Sequence, residues 1–168
     1  MVQKELLTNE QLRLAVEAKW IEHIKLCQDN FIYFVKEVWP DFICRLDPVK
    51  TRWGHHQHIA SEFTKISTMK KGRLIINMPP RHTKSEFASY LFPAWMIGKF
   101  PNLKIMQVSH NAELSSRFGS KVRNLMEQKE YKNIFGDVKL REDSKAKGRW
   151  ETNHGGEYFA AGVGGSIT

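Results

Sequence analysis

Two cysteines among 168 residues, Cys27 and Cys44, are too few for a disulfide framework, and both lie in apolar surroundings that suit buried thiols. A reducing, cytoplasmic setting is expected. No apolar run reaches the length of a membrane span, and the N-terminal residues include acids where a secretion signal would have its apolar core. Neither a membrane anchor nor secretion is therefore expected. No internal repeat and no Pro- or Ser-rich linker divides the chain. Acids are absent from residues 63–85, which hold six basic residues: Lys65, Lys70, Lys71, Arg73, Arg81 and Lys84.

The content that is present, 41% hydrophobic and 26% charged, suits one domain with a real core and argues against disorder. A net charge of +8 points to a polyanionic partner, with nucleic acid the leading class. A second basic stretch, residues 139–149, carries Lys139, Arg141, Lys145, Lys147 and Arg149 against Glu142 and Asp143. Lys70, Lys71, Lys139, Arg141, Lys145 and Lys147 are the DNA-contact candidates. A solvated surface would explain the same charges.

The order of elements is partly legible. Thr8-Asn9-Glu10-Gln11 has capping-box spacing, and Leu12, Ala15, Val16, Ile21 and Ile24 predict the core face of a helix reaching about Gln28. Phe31-Ile32-Tyr33-Phe34-Val35 and Val38-Trp39, closed by Pro40, predict a short core helix; without interleaved basic residues, a base-stacking platform is the weaker reading. Trp53-Gly54-His55-His56-Gln57-His58-Ile59 opens a further helix to about Thr68. His55 and His58, with Cys44, offer metal donors, but no CxxC or HExxH framework supports zinc. A strand at residues 103–108 is followed by a helix, capped by Ser109 or Asn111, that carries Ser115, Phe118, Val122 and Leu125 on one face. Residues 149–152 and 157–160, separated by Asn153-His154-Gly155-Gly156, predict a β-hairpin, and Gly162, Gly164 and Gly165 a flexible end.

The most informative segment is Leu74-Ile75-Ile76-Asn77-Met78-Pro79-Pro80-Arg81-His82-Thr83-Lys84-Ser85, an apolar strand that enters a basic turn and opens a helix at Lys-Ser. That is the outline of a phosphate-binding loop, in which backbone N–H groups and a helix N-terminus surround phosphates, Lys reaches the outer phosphates, and the next hydroxyl ligates Mg²⁺. Met78 and Thr83 occupy the two positions of the standard spacing that are ordinarily glycine. Because a β-branched residue adopts positive φ poorly, a different backbone path is expected. Pro79 and Pro80 supply no N–H, so Arg81, His82, Thr83, Lys84 and Ser85 are the donors, and the Arg81 guanidinium adds a fork for phosphate oxygens. The next helix places Phe87, Leu91 and Trp95 on one face, with a bend at Pro93. Strand, crossover helix and strand together predict a right-handed parallel unit with its ligand at the strand carboxyl ends.

In their order these segments resemble the N-terminal part of the large terminase subunit of tailed bacteriophages, the ATPase that drives DNA into the capsid. The similarity runs over residues 30–168. It rests on the His/Gln-rich segment 53–59, the strand and Pro-Pro-Arg-His-Thr-Lys-Ser loop, Ser109-His110-Asn111-Ala112 with Arg117, the Trp-containing hairpin, and Gly162-Val163-Gly164-Gly165-Ser166-Ile167-Thr168. The resemblance implies a P-loop NTPase-like α/β fold: a mainly parallel sheet flanked by helices, with a C-terminal β-hairpin. Residues 1–30 would form a helical segment and 31–168 the first part of the ATPase domain. Lys84 and Arg81 become catalytic phosphate ligands and Ser85 the Mg²⁺ ligand. Gln57 becomes an adenine contact, and Pro80, His82 and Thr83 complete the ATP-binding set. Arg117 and Arg149 are arginine-finger candidates, beside any residue past Thr168.

In that family a Walker B strand follows the Gly-Ser-Ile-Thr stretch and a nuclease domain lies further on, so a partial motor domain with little turnover of its own is expected. ATP and Mg²⁺ would be the cofactors. Double-stranded DNA, the portal protein, the small terminase subunit and further copies in a ring would be the partners, with the host cytoplasm as the location. A helicase-like nucleic-acid-stimulated ATPase and a non-catalytic basic DNA-binding module are the alternative readings.

Overall fold

The computed structural model describes residues 8–41 and 54–163, apart from the side chains of Gly54, Ser144 and Lys145. Cys44, Trp53, Gly164, Gly165 and residues 166–168, on which several expectations fell, lie outside it. Helix α1 (Asn9–Asp29) starts at the expected capping box: Thr8 Oγ1 accepts from Gln11 N at 3.3 Å, and Gln11 Oε1 accepts from Thr8 N at 2.8 Å. Its expected core face is corrected. Leu12, Val16 and Ile21 are 47%, 68% and 50% exposed, and Ile24 alone of the five is half-buried. The helix docks through its C-terminal half, where Cys27 is buried, Trp95 Nε1 donates to Cys27 O at 2.9 Å and Gln28 Nε2 donates to Ile134 O at 2.7 Å.

Asn30, in extended conformation, breaks the helix and reverses the chain into α2 (Phe31–Val38). Phe31, Phe34 and Val35 are fully buried, as expected of a core helix. The Phe31 ring meets Phe63, Phe87, Phe92 and Trp95 at centroid distances of 5.4–5.7 Å, which makes it the centre of the aromatic core. Helix α3 (Gly54–Ser67) packs on α2. After the extended segment and the loop at residues 79–85 come a π-helical turn (Glu86–Leu91) and α4 (Phe92–Lys99). Phe87, Leu91 and Trp95 share its buried face. The expected bend at Pro93 takes the form of this wider turn: Pro93 lacks an N–H and crowds the carbonyl four residues back, and just before it Phe92 N–H reaches Phe87 O, five residues back.

Strand β1 (Lys104–Ser109) leads to α5 (Ala112–Met126), whose cap is Asn111, with Oδ1 accepting from Leu114 N at 2.8 Å. Ser115, Val122 and Leu125 are buried on it and Phe118 is half-buried. A short α6 (Lys129–Ile134) precedes β2 (Leu140–Lys145), β3 (Arg149–Thr152) and β4 (Glu157–Gly162). The last two form the expected hairpin, turned by Gly155 at φ 79°.

The protein is thus α/β, but two parts of the expected sheet are corrected. Its order is β1-β4-β3-β2, with only β1–β4 parallel and the other two pairs antiparallel. Among the described residues, 74–78 form no ladder with another strand, although Leu74, Ile76 and Met78 pack on the core and Ile75 is 85% exposed. Alternation supplies a strand-like face, but a strand also needs a partner for its N–H and C=O groups, and among the described residues none takes that edge. Instead β1 pairs with β4, which α5 holds in place: Ser115 Oγ donates to Ala161 O at 2.7 Å, and a Cβ at Gly162 would stand 2.4 Å from Ala112 N.

Candidate functional site

The loop 79–85 sits between an extended segment anchored on the core and a helix whose first turn buries Phe87. Arg81 and Thr83 both adopt positive φ, 64° and 62°, while His82 between them does not. The expected departure from a glycine-type path is therefore corrected at Thr83, which takes the conformation that glycine would take at its position. Alternation in the sign of φ turns successive backbone N–H groups toward one side, the arrangement that makes an anion-binding concavity. A β-branched residue does not hold this region without support.

Tertiary contacts supply that support. Thr83 Oγ1 lies 2.7 Å from His56 Nε2 and 2.6 Å from His82 O, and Thr83 O accepts from Phe87 N at 3.1 Å. A hydroxyl has one proton, so donation to the His82 carbonyl leaves Thr83 to accept from His56 Nε2–H. His82 Nδ1 donates to Pro80 O at 2.9 Å, and Lys84 Nζ donates to Met78 O at 3.2 Å, tying the end of the loop to its beginning. His56 is 8% exposed, packs on the Phe87 ring at 5.4 Å and lies against the His55 ring at 3.8 Å between centroids, tilted by 40°. Burial, then proximity to His55 and His82, pushes its pKa down to about 4, so it is neutral at physiological pH.

Arg81, Thr83, Lys84, Ser85 and Glu86 line a cleft of about 270 Å³. Its one carboxylate, Glu86, is held by Lys121 Nζ at 2.9 and 3.1 Å, so the cleft presents cationic groups and backbone donors. A phosphate chain fits that chemistry. The Ser85 hydroxyl offers a hard oxygen donor of the kind Mg²⁺ takes together with phosphate oxygens and water. A second cleft of about 290 Å³ lies between α3 and the extended segment, lined by His55, His58, Ile59, Glu62 and residues 74–78.

Pro80, Arg81, His82, Thr83, Lys84 and Ser85 are thus brought together. Gln57 is exposed on α3, next to loop-bound His56, and lines neither cleft. Arg117 is exposed on α5, and Arg149 pairs with Glu157 at 2.8 Å on β3. Lys70, Lys71, Lys139 and Lys147 are exposed, whereas Arg141 is engaged by Asp143 at 2.7 Å and Glu151 at 2.6 Å. Sequence reasoning missed His56 as the brace of the loop. The His-rich start of α3 was visible, but only tertiary packing shows which ring meets Thr83. Among the described residues, no helix is long and apolar enough to cross a membrane. No family model, characterised protein or solved structure matches the chain.

Proposed function

We propose that this chain is the nucleotide-binding part of a DNA-packaging motor ATPase of the large terminase kind. The observation that carries the reading is the loop 81–85: two left-handed residues, one a braced threonine, set a basic Lys-Ser pair at the start of a helix anchored by buried Phe87 and Leu91. Strain of this kind, on the order of 1–3 kcal/mol per residue, persists where the surroundings enforce it and clusters at ligand sites. The order of the sequence segments, which resembles that of terminases, is the ground for proposing a motor.

In this reading Lys84 exchanges its bond to the Met78 carbonyl for phosphate oxygens, and Arg81 grips a second set through its guanidinium. The N–H groups of residues 81–85 surround the chain of phosphates, and Gln57, next to loop-bound His56 on α3, offers its amide to the adenine. Ser85 would hold Mg²⁺, which when bound neutralises charge between the outer phosphates. Glu86 is engaged by Lys121, so in this reading the acid that polarises water is supplied by a segment other than the loop. An arginine finger, from Arg117, Arg149 or another residue, completes charge neutralisation across neighbouring subunits of a ring. Hydrolysis then moves double-stranded DNA through a portal, with the small terminase subunit as a partner, in the host cytoplasm.

Lys84→Ala in the packaging-competent protein is the test: packaging-linked ATP hydrolysis is expected to fall by roughly a hundredfold or more, the scale for removing a preorganised charge donor. Retained hydrolysis would refute the assignment.

A further inference from the structure

Away from the loop, the α1–α2 elbow gathers three different metal-ligating side chains. His23 and Cys27 are four residues apart on α1 and therefore lie above one another on one face. The reversal at Asn30 brings α2 back along that face, and Glu37 from its last turn reaches the same point. His23 Nε2 is 2.9 Å from Glu37 Oε2 and 3.7 Å from Cys27 Sγ, and one donor atom from each residue lies within 4.8 Å of the other two.

We propose that His23, Cys27 and Glu37 form a binding site for a thiophilic divalent transition metal, Zn²⁺ by preference, that clamps the α1–α2 elbow. Tetrahedral zinc with bonds of about 2.0–2.3 Å sets its donor atoms roughly 3.3–3.8 Å apart, so His23 and Cys27 already stand at that spacing and the Glu37 carboxylate must shift, opening its contact with His23, to admit the ion. Thiolate, imidazole and carboxylate together favour zinc over Mg²⁺ or Ca²⁺, which take all-oxygen sets. Cys27 is fully buried, whereas the His23 and Glu37 side chains are 39% and 26% exposed. The site is thus dry at the sulfur and open at the other side, which provides an entry path and room for water as the fourth ligand. Binding forms an Sγ–metal bond and breaks the S–H bond, and the proton leaves to solvent. The simpler alternative is an ion pair between His23 and Glu37 beside a buried thiol that binds no metal.

Titration of the metal-free full chain with Co²⁺, then Zn²⁺, decides between them, and neither metal reports on nucleotide binding. The wild type is expected to bind one Co²⁺, with a thiolate-to-cobalt charge-transfer band in the near ultraviolet, about one proton released and displacement by Zn²⁺. Cys27→Ser should abolish the band, and Glu37→Gln should weaken affinity by roughly tenfold or more with the band retained at saturation. Cys44→Ser should leave it unchanged. Far-ultraviolet circular dichroism verifies that each variant is folded. No band in the wild type, a band that survives Cys27→Ser, or one lost in Cys44→Ser would overturn the proposal.

Discussion

Thr83 holds a conformation that costs a side chain with a Cβ about 1–2 kcal/mol, and its hydroxyl is bonded to His56. The two effects separate by substitution. Thr83→Ala removes the hydroxyl and keeps the steric penalty, whereas Thr83→Gly removes both. Glycine is therefore expected to be more stable than alanine here by about 1 kcal/mol in denaturant unfolding, the reverse of their order at an ordinary position. Alanine equal to or above glycine would mean that the positive φ is not maintained. His56 gives the loop a pH dependence. Its folded pKa, about 4, lies below the ordinary 6.5, so between these values the unfolded chain takes up a proton that the folded one refuses. The His56 contribution is fully present above about pH 6.5 and is lost as pH falls toward 4. The span is on the order of 3 kcal/mol, since one pKa unit is worth about 1.4 kcal/mol. Midpoints of thermal unfolding across this window should drop steeply in the wild type and less in His56→Gln. The place of Lys84 and Ser85 at the opening of a helix was legible in the sequence because an extended segment, a turn and a helix follow one another locally. The brace on Thr83 was not, since it joins residues 27 apart.

Among the elements, those with a strong local signal appear where the spacing predicts them: the capping box of α1, the aromatic α2, the hairpin β3–β4. The use to which a face is put was harder to read. Leu12 and Val16 keep helical spacing with Ile24, yet among the described residues α1 is covered only where α2, α4 and α6 reach it. Phe31→Ala is accordingly expected to cost about 3–5 kcal/mol, as it empties the meeting point of four rings. Val16→Glu should change stability by less than about 0.5 kcal/mol. Comparable losses for the two in chemical denaturation would show that the first half of α1 is covered after all. The parallel unit predicted from residues 74–78 and β1 failed for a related reason. Hydrophobic alternation marks a face, but pairing depends on which edge another segment reaches, and β4 reaches β1 from more than 40 residues away.

Across the molecule the net charge of +8 is not spread as the sequence suggests. In the second basic stretch Arg141 is balanced by Asp143 on its own strand and by Glu151 on the next, and Arg149 by Glu157 across the β3–β4 pair. In the first, Lys65 pairs with Glu62, while Lys70, Lys71 and Arg73 are exposed and Arg81 and Lys84 flank the loop cleft. Of these basic residues, Arg81 and Lys84 are the pair that meets at one cleft, where a polyanion would find two cationic side chains together. Cross-strand pairing of this kind is a property of register, which composition cannot show. The most direct measurement is titration of this chain and of its Lys84→Ala variant with a fluorescent ATP analogue, with and without Mg²⁺. Saturable binding by the wild type, tightened by Mg²⁺ and weakened at least roughly tenfold in the variant, is predicted for a phosphate-binding loop of this geometry. Equal binding by both proteins, or binding by neither, would contradict it.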